Sequence, residues 1–183
     1  MTENDRRFQD AVLPHLDAAY NLARWLTGND HDARDVVQDA CLRAYRSIGQ
    51  LRGASARPWL LAIVRNACFS WLRANRPTEV VGSLDDTERA SSTAAREDTS
   101  PGPETLALEN LDRKVLNDAI AALPAVYREV LILRELEELS YHDIANVTGA
   151  PIGTVMSRLS RGRRLLAQSF QVVLAHVEGG GRR

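Results

Sequence analysis

Residues 140–166 read SYHDIANVTGAPIGTVMSRLSRGRRLL, and this stretch decides the fold class that the sequence predicts. A helical pattern from Tyr141 to Val147 runs into a turn at residues 148–151, and a second helical pattern follows at once. The turn contains Gly149 and Pro151. Two short helices joined by a tight, glycine-containing turn are typical of a helix-turn-helix, whose second helix is available for the DNA major groove.

The second helix of this motif separates apolar from polar residues. At about 100° per residue, one face collects the apolar side chains Ile152, Val155, Leu159 and Leu166. The opposite face carries Thr154, Ser157, Arg161 and Arg164, and the flanks carry Met156, Arg158 and Ser160. No Asp or Glu occurs between Asp143 and Glu178. Such a face suits phosphate and base-edge contacts, which favours DNA binding over an ordinary surface helix that happens to be basic.

The net charge of −1 conceals an uneven distribution along the 183 residues. Residues 1–77 carry a net charge of +3, residues 78–104 carry −5, and residues 105–183 carry +1. The acidic middle is dominated by Ser, Thr, Asp, Glu, Gly and Pro, and such a composition cannot bury a core. We therefore predict a flexible acidic linker over 78–104 between two domains, 1–77 and 105–183.

Helical periodicity occupies both predicted domains. Apolar residues recur at helical spacing over about 9–26, over 32–48 with Asp32 as the expected cap, and from Pro58 to Arg73. The pattern returns over 108–123 and again over 126–136. In the second of these segments, the side chains expected to pack in the apolar core are Val126, Val130, Leu131, Leu133 and Leu136. No strand alternation appears, so the predicted fold is all-α, with two small helical domains.

Other features narrow the functional class. The two cysteines, Cys41 and Cys68, are too far apart in sequence for a CxxC motif, and we expect them to be small buried thiols. No apolar run reaches membrane-spanning length and the N-terminus lacks a signal peptide, so we expect a cytoplasmic protein without membrane insertion. The pairs His31-Asp32 and His142-Asp143 could belong to a metal enzyme, but they lack the further ligands of a metal site. We predict no enzymatic activity, no metal and no cofactor.

Three blocks of sequence, in this order and spacing, resemble bacterial RNA polymerase sigma factors of the sigma-70 family, extracytoplasmic-function (ECF) type. DARDVVQDACLRAYR at 32–46 resembles the helix of regions 2.1–2.2, and RPWLLAIVRNACFSWLR at 57–73 resembles regions 2.3–2.4. LPAVYREVLILRELEELSYHDIA at 123–145, continued by PIGTVMSRLSRGR at 151–163, resembles region 4. The resemblance implies that 1–77 is region 2 and 105–183 is region 4.

The resemblance also implies partners and site residues. The chain would bind core polymerase through its β′ coiled coil and its β subunit. The exposed face of the first block would contact the β′ coiled coil through Asp35, Gln38, Asp39, Leu42 and Arg43. The second block and the connector before it would bind the −10 element as it opens, through Arg52, Ser55, Arg57, Arg65, Asn66 and Arg73. The last helix would bind the −35 element through Thr154, Ser157, Arg158, Arg161 and Arg164. An anti-sigma protein is the expected regulator.

Two alternative functions would also connect this chain to transcription without making it a sigma subunit of polymerase. A DNA-binding response protein that recruits polymerase would explain the helix-turn-helix but not the N-terminal blocks. A sigma-like decoy that binds an inhibitor should have lost the promoter-facing arginines, whereas this chain retains Arg52, Arg57, Arg65 and Arg73.

Overall fold

The computed structural model describes residues 2–51, 55–81 and 106–179, without the side chains of 81, 106–112 and 171–179. The regular structure in these ranges is entirely helical, which confirms the predicted fold class. The α-helices are α1 (Glu3–Val12), α2 (Leu16–Thr27), α3 (Asp30–Ser47), α4 (Ala56–Asn75), α5 (Pro77–Val81), α6 (Leu106–Ala121), α7 (Ala125–Leu131), α8 (Tyr141–Thr148) and α9 (Ile152–Gly179). We call α1–α5 the N-terminal bundle and α6–α9 the C-terminal bundle.

Several helix boundaries differ from those that the sequence predicts. The first helical pattern is two helices, because Pro14 lies in a short 3-10 turn, Leu13–His15, that separates α1 from α2. The cap of α3 is Asn29, whose side chain accepts a hydrogen bond from the backbone N–H of Asp32 at 2.9 Å. The prediction of Asp32 as the cap was therefore wrong, since Asp32 is the third residue of the helix.

The N-terminal bundle is built on α2, α3 and α4, which pack against one another. Its fully buried large side chains include Leu22, Leu26, Leu60, Leu61 and Leu72. Helix α1 packs against α3, where the ring of Phe8 meets Tyr45 edge-on at 5.4 Å. The apolar pattern over 32–48 includes Tyr45 at a position of the buried stripe, but Tyr45 is exposed and donates its hydroxyl proton to Asp5 at 2.7 Å.

The C-terminal bundle holds the helix-turn-helix. Helix α7 continues into a π-helical turn, Ile132–Leu136, before α8, which Ser140 caps by accepting from the backbone N–H of Asp143. Gly149 ends α8 with φ +68°, a left-handed conformation that glycine adopts without strain. Val155 and Leu159 are buried as predicted, whereas Ile152 and Leu136 are 43% and 52% exposed and were wrongly placed among the buried apolar residues.

The two bundles are in contact. Helix α4 packs against α8, and α2 packs against α7, so that the buried apolar residues of both bundles form one continuous cluster. Residues 78–81, which the sequence assigned to the linker, belong to helix α5, and the rest of the predicted linker lies outside the described residues. Among the helices described, none combines the length and the apolar character that crossing a bilayer requires.

Candidate nucleic-acid interface

Helix α9 presents the residues predicted to bind the −35 element. Ser157 and Arg164 are exposed, while Thr154, Arg158 and Arg161 are half-buried. The Ser157 hydroxyl donates to the carbonyl oxygen of Thr154 at 3.0 Å, and the Arg161 guanidinium lies 5.9 Å from the centre of the Tyr127 ring. These side chains therefore differ in how far they are exposed and in how tightly the fold holds them.

Arg158 is directed toward the interior of the molecule. Its Nη1 lies 3.8 Å from Oε1 of Glu129, a residue of α7 whose side chain is 0% exposed. The same carboxylate accepts two hydrogen bonds from Arg65 of α4, at 2.7 Å from Nε and 3.2 Å from Nη2. One buried glutamate thus joins an arginine predicted to contact the −35 element and an arginine predicted to contact the −10 element.

The charge of the buried Glu129 side chain is balanced by its arginine neighbours. Burial raises the pKa of its carboxyl group, and the hydrogen bonds and charge of Arg65, together with the charge of Arg158, oppose that increase. The Arg65 guanidinium also lies 4.0 Å from the centre of the Phe69 ring, which holds it in a cation–π contact. A buried carboxylate is tolerated only with such partners, so Glu129 and Arg65 fix each other's position.

A second contact of the same kind involves the start of α4. Arg57 Nη2 donates to Oε2 of Glu137 at 2.5 Å, and Asn21 Nδ2 donates to Oε1 of the same carboxylate at 3.4 Å. The Glu137 side chain is 5% exposed. Ser55 precedes α4 with an exposed side chain that makes no capping hydrogen bond. Arg52 lies outside the described residues.

The remaining residues predicted for the −10 element lie on the outer side of α4. Asn66 is exposed and its Oδ1 accepts from Arg65 Nη1 at 3.4 Å. Arg73 is exposed near the end of α4 and donates to the Ser70 hydroxyl at 3.2 Å. The structure therefore places the Asn66 amide beside the Arg65 guanidinium. Asn66 lies on the surface, and Arg65 lies in the contact between the bundles.

The residues predicted to bind core polymerase form one exposed face of α3: Asp35, Gln38, Asp39, Leu42 and Arg43. Asp39 and Arg43 are paired at 2.6 Å, one helical turn apart, and both side chains are about half exposed. Leu42 is 53% exposed, an unusual position for a large apolar side chain in a polar face. This face can accept a partner without any rearrangement of the core.

Three charged residues that join the bundles were not predicted from the sequence: Arg128, Glu129 and Glu137. Arg128 of α7 is buried and donates to the carbonyl oxygens of Trp25 and Leu26 at the end of α2, at 3.0 and 3.4 Å. It also donates to the carbonyl oxygens of Ala121 and Leu123 at 2.7 and 2.8 Å. An available signal was the spacing of Glu129, which lies three residues after Val126 and four before Leu133, on the buried face of α7.

The thiols and the His-Asp pairs have ordinary structural explanations. Burial, followed by the charge of Glu129, raises the pKa of the Cys68 thiol to about 12. Burial also raises the pKa of Cys41, which is half-buried. His31 lies on the surface beside Asp32 and Asp35. Within the part of the chain that the structure describes, no cluster of three or more His, Cys, Asp or Glu side chains is arranged to hold a metal ion.

Both bundles match family models of known proteins. Residues 11–78 match the family model of sigma-70 region 2, and residues 113–166 match the model of sigma-70 region 4. The RNA polymerase sigma-H factor of Pseudomonas aeruginosa is 34% identical over 172 residues, covering 92% of this chain and 89% of that protein. The ECF RNA polymerase sigma-E factor of Haemophilus influenzae is 38% identical, covering 84% of this chain and 81% of that protein.

A longer relative and a solved structure extend the comparison. The ECF RNA polymerase sigma factor SigE of Mycolicibacterium smegmatis is 31% identical over 159 residues, and the match spans 60% of its length. The sigma factor RpoE of Bartonella quintana, solved in complex with the anti-sigma factor NepR, has a TM-score of 0.66 at 27% identity, covering 90% of this chain and 97% of that chain. With both sigma-70 regions matched in order, the chain belongs to the ECF RNA polymerase sigma factors of the sigma-70 family.

Proposed function

We propose that this chain binds core RNA polymerase and directs it to promoters by recognising a −35 element with its C-terminal bundle and a −10 element with its N-terminal bundle. The observation that carries the proposal is the helix-turn-helix of α8 and α9 in a chain that also has the region 2 fold. A DNA-binding response protein would need the helix-turn-helix but not the region 2 fold. The chain is an initiation factor and not an enzyme, and we place it in the cytoplasm, where polymerase and chromosome lie.

The exposed face of α3 is the proposed contact with core polymerase. A half-exposed Leu42 surrounded by Asp35, Gln38, Asp39 and Arg43 provides an apolar centre with a polar rim, the usual composition of a protein interface. The residues opposite this face, among them Val36, Ala40 and Ala44, are buried in the bundle, so α3 is rigid where it would dock. The partner proposed for this face is the β′ coiled coil.

Recognition of the −35 element is assigned to α9. Its exposed Ser157 and Arg164 and its half-buried Thr154, Arg158 and Arg161 combine hydroxyl groups with guanidinium groups, which provide phosphate and base-edge contacts in the major groove. The buried Val155 and Leu159 fix the rotation of α9 on the bundle, so that these polar side chains share one side.

Opening of the −10 element is assigned to the start and outer side of α4, with the connector before it. The exposed Asn66 offers a donor and an acceptor to an unstacked base, and Arg73 offers a cation to the backbone. Arg57 and Arg65 complete the set on α4, Ser55 lies immediately before that helix, and Arg52 belongs to the connector. This division gives each bundle one promoter element.

An anti-sigma protein is the proposed regulator. The Bartonella relative was solved with such a protein, NepR, and aligns with this chain over nearly its whole length. Regulation of this kind would act before the chain joins polymerase, which fits a protein whose two bundles already contact each other when alone.

Transcription in vitro tests the proposed function as a whole. The purified chain is added to core polymerase on a library of genomic promoters, with core alone and a known sigma factor as controls. We expect run-off transcripts from a limited set of promoters that share a −35 and a −10 sequence. Absence of any transcript above core alone, despite activity of the control sigma factor, would refute the proposal.

A further inference from the structure

Two large apolar side chains are exposed at the start of α9, the helix assigned to the −35 element. Ile152 is 43% exposed and Met156 is 53% exposed. They lie one helical turn apart, about 40° from each other around the helix axis. At Gly153, which follows Ile152, an added Cβ would meet no atom within 4 Å, so the surface there is open. We call Ile152 and Met156 the apolar pair.

We infer that the apolar pair contacts the 5-methyl groups of thymines in the −35 element, and so makes A·T pairs part of the sequence that this chain selects. The inference rests on the proposed function, because it assumes that α9 lies in the major groove. It goes further in naming two specificity-determining side chains, outside the set assigned to DNA, and the chemical group that they recognise.

The charges around the apolar pair favour a nucleic acid over a protein as its partner. Ser157 follows Met156 and is exposed. Helix α9 has no acidic residue before Glu178, and Glu135 of the preceding π-helical turn is paired with Arg163 at 2.6 Å. A polyanion therefore meets little repulsion here. A stable protein interface buries roughly 800 Å² on each partner, and two half-exposed side chains beside polar groups offer only a small part of that area.

The major groove offers one apolar group to such side chains. An A·T pair presents the thymine methyl group there, beside the donors and acceptors of the base edges, whereas a G·C pair presents no methyl group. The residues of a recognition helix that contact base edges lie near its N-terminus, which is where the apolar pair lies. Burial of a methyl group against apolar side chains is favourable. The pair thus adds a kind of discrimination that arginine and serine, which recognise hydrogen-bonding groups, do not provide.

The spacing of the apolar pair matches that of neighbouring base pairs. Four residues of α-helix rise about 6 Å along the helix axis. Successive base pairs are stacked about 3.4 Å apart. Ile152 and Met156 therefore match methyl groups on A·T pairs that are one or two steps apart. The two thymines can lie on the same strand or on opposite strands, because the bases of both strands present their edges in the major groove.

Deoxyuridine, which lacks the 5-methyl group of thymidine, tests the inference on the holoenzyme. The probe is a promoter found by run-off transcription, in which each thymine of the −35 element is replaced in turn by uracil, on either strand. Competition against a labelled promoter measures the affinity of holoenzymes that carry the wild type, Ile152→Ala, Met156→Ala or Leu136→Ala. The last is the matched control, because it removes an apolar side chain that is 52% exposed from the same bundle but outside α9.

We expect removal of the methyl group at one or two positions to weaken wild-type binding about fourfold, the factor that corresponds to burial of one methyl group. Each alanine variant of the apolar pair should lose this discrimination at the position that its side chain contacts. A double-mutant cycle between the side chain and the methyl group isolates their contact from other effects of the substitution. Leu136→Ala should discriminate as the wild type does, and Met156→Leu should retain part of the discrimination.

The inference would be overturned if uracil is accepted as well as thymine at every position, or if the −35 element contains no A·T pair. It would also be overturned if Ile152→Ala and Met156→Ala bind more weakly but keep the wild-type discrimination, because the pair would then contact a protein surface of polymerase. Circular dichroism checks that the variants are folded, and the uracil scan with the wild type depends on no variant. Failure of the proposed function is a separate result, since the wild-type holoenzyme would then neither bind nor transcribe the unmodified promoter.

Discussion

The outer face of α3 and the arginine-rich side of α4 differ in what their charged residues contact. On α3, Asp39 and Arg43 pair with each other on the surface, an interaction worth only about 0.3–0.5 kcal/mol. On α4, Arg57 and Arg65 pair with nearly buried glutamates of the other bundle. The proposed polymerase-binding surface is therefore accessible in this structure, whereas Arg57 and Arg65 of the proposed promoter-binding surface are paired with glutamates. This difference suggests an order of assembly, with core polymerase bound first and promoter DNA second.

The largest expected effect is on the affinity for core polymerase, when the exposed face of α3 is changed. Replacing Asp39 with Arg and Gln38 with Ala reverses one charge and removes one amide on a face that has no role in the core. Because like charges placed opposite each other in an interface cost several kcal/mol, we expect more than a hundredfold weaker association with core polymerase. Surface-immobilised core measures the affinity, and circular dichroism should remain helical. Wild-type affinity would assign this face to another function.

The second expected effect concerns stability. Arg128→Ala removes a buried guanidinium that bonds to four carbonyl oxygens and connects α7 to the end of α2. Leaving those acceptors unsatisfied should lower the free energy of unfolding by about 2–4 kcal/mol. Arg163→Ala is the matched control, since its pair with Glu135 is half exposed and is worth less than about 1 kcal/mol. Equal urea midpoints for the two variants would contradict the difference between buried and exposed arginines.

The third effect separates two arginines of α9. If Arg161 contacts a base, Arg161→Ala should weaken −35 binding by about 1–3 kcal/mol and relax the preference at one position. If Arg164 contacts phosphate, Arg164→Ala should weaken all sequences alike and reduce the salt dependence. Competition binding with single-position sequence variants measures both. Wild-type binding by both variants would place the promoter contact on another face.

A smaller effect is expected from Asn66→Ala on α4. Asn66 is exposed and contributes little to the core, so the holoenzyme should assemble and bind duplex promoter normally. We expect a reduction on the order of tenfold in the permanganate-reactive bubble, equivalent to about 1.4 kcal/mol. A premelted template should restore transcription. Equal loss on duplex and premelted templates would assign Asn66 to folding or to the polymerase contact instead.

The smallest expected effect concerns the Cys68 thiol, which feels the charge of Glu129. With a pKa of about 12, Cys68 is almost entirely protonated at pH 8, and it should react with iodoacetamide far more slowly than a free cysteine. Because the charge of Glu129 contributes to that increase, Glu129→Gln should accelerate the reaction of Cys68, whereas Glu135→Gln should not. Peptide mass spectrometry after timed labelling measures the rate. Fast labelling of Cys68 in the wild type would show that burial and the charge of Glu129 do not protect it.

The helices and their faces were largely predictable because hydrophobic periodicity records local packing. The burial of Val155 and Leu159 followed from the spacing of apolar residues in α9, and the exposure of the α3 polar face followed from its opposite stripe. Boundaries were less predictable. Pro14 divides the first pattern into two helices. Asn29 rather than Asp32 caps α3, because several polar residues near the start of a helix can serve as its cap.

The pairing of Arg65 with Glu129 and of Arg57 with Glu137 was not predictable, because it joins residues that are far apart in sequence. Arg65 and Glu129 are separated by 64 positions, and Arg57 and Glu137 by 80. Periodicity places Glu129 on the buried face of α7 but does not identify its partner. It also cannot show whether an arginine such as Arg158 faces DNA or the interior. The assignments of individual residues to promoter and polymerase therefore remain predictions.

The central claim is that this chain is a subunit of RNA polymerase holoenzyme, in which its two bundles, in contact in the free chain, are held apart. Its most direct test is energy transfer between dyes on cysteines introduced at Glu3 of α1 and Lys114 of α6, both exposed, with Cys41 and Cys68 replaced. We predict high transfer in the free chain, lower transfer in Glu129→Gln, and a large drop when core polymerase is added to the wild type. The same transfer efficiency with and without core polymerase would contradict the claim.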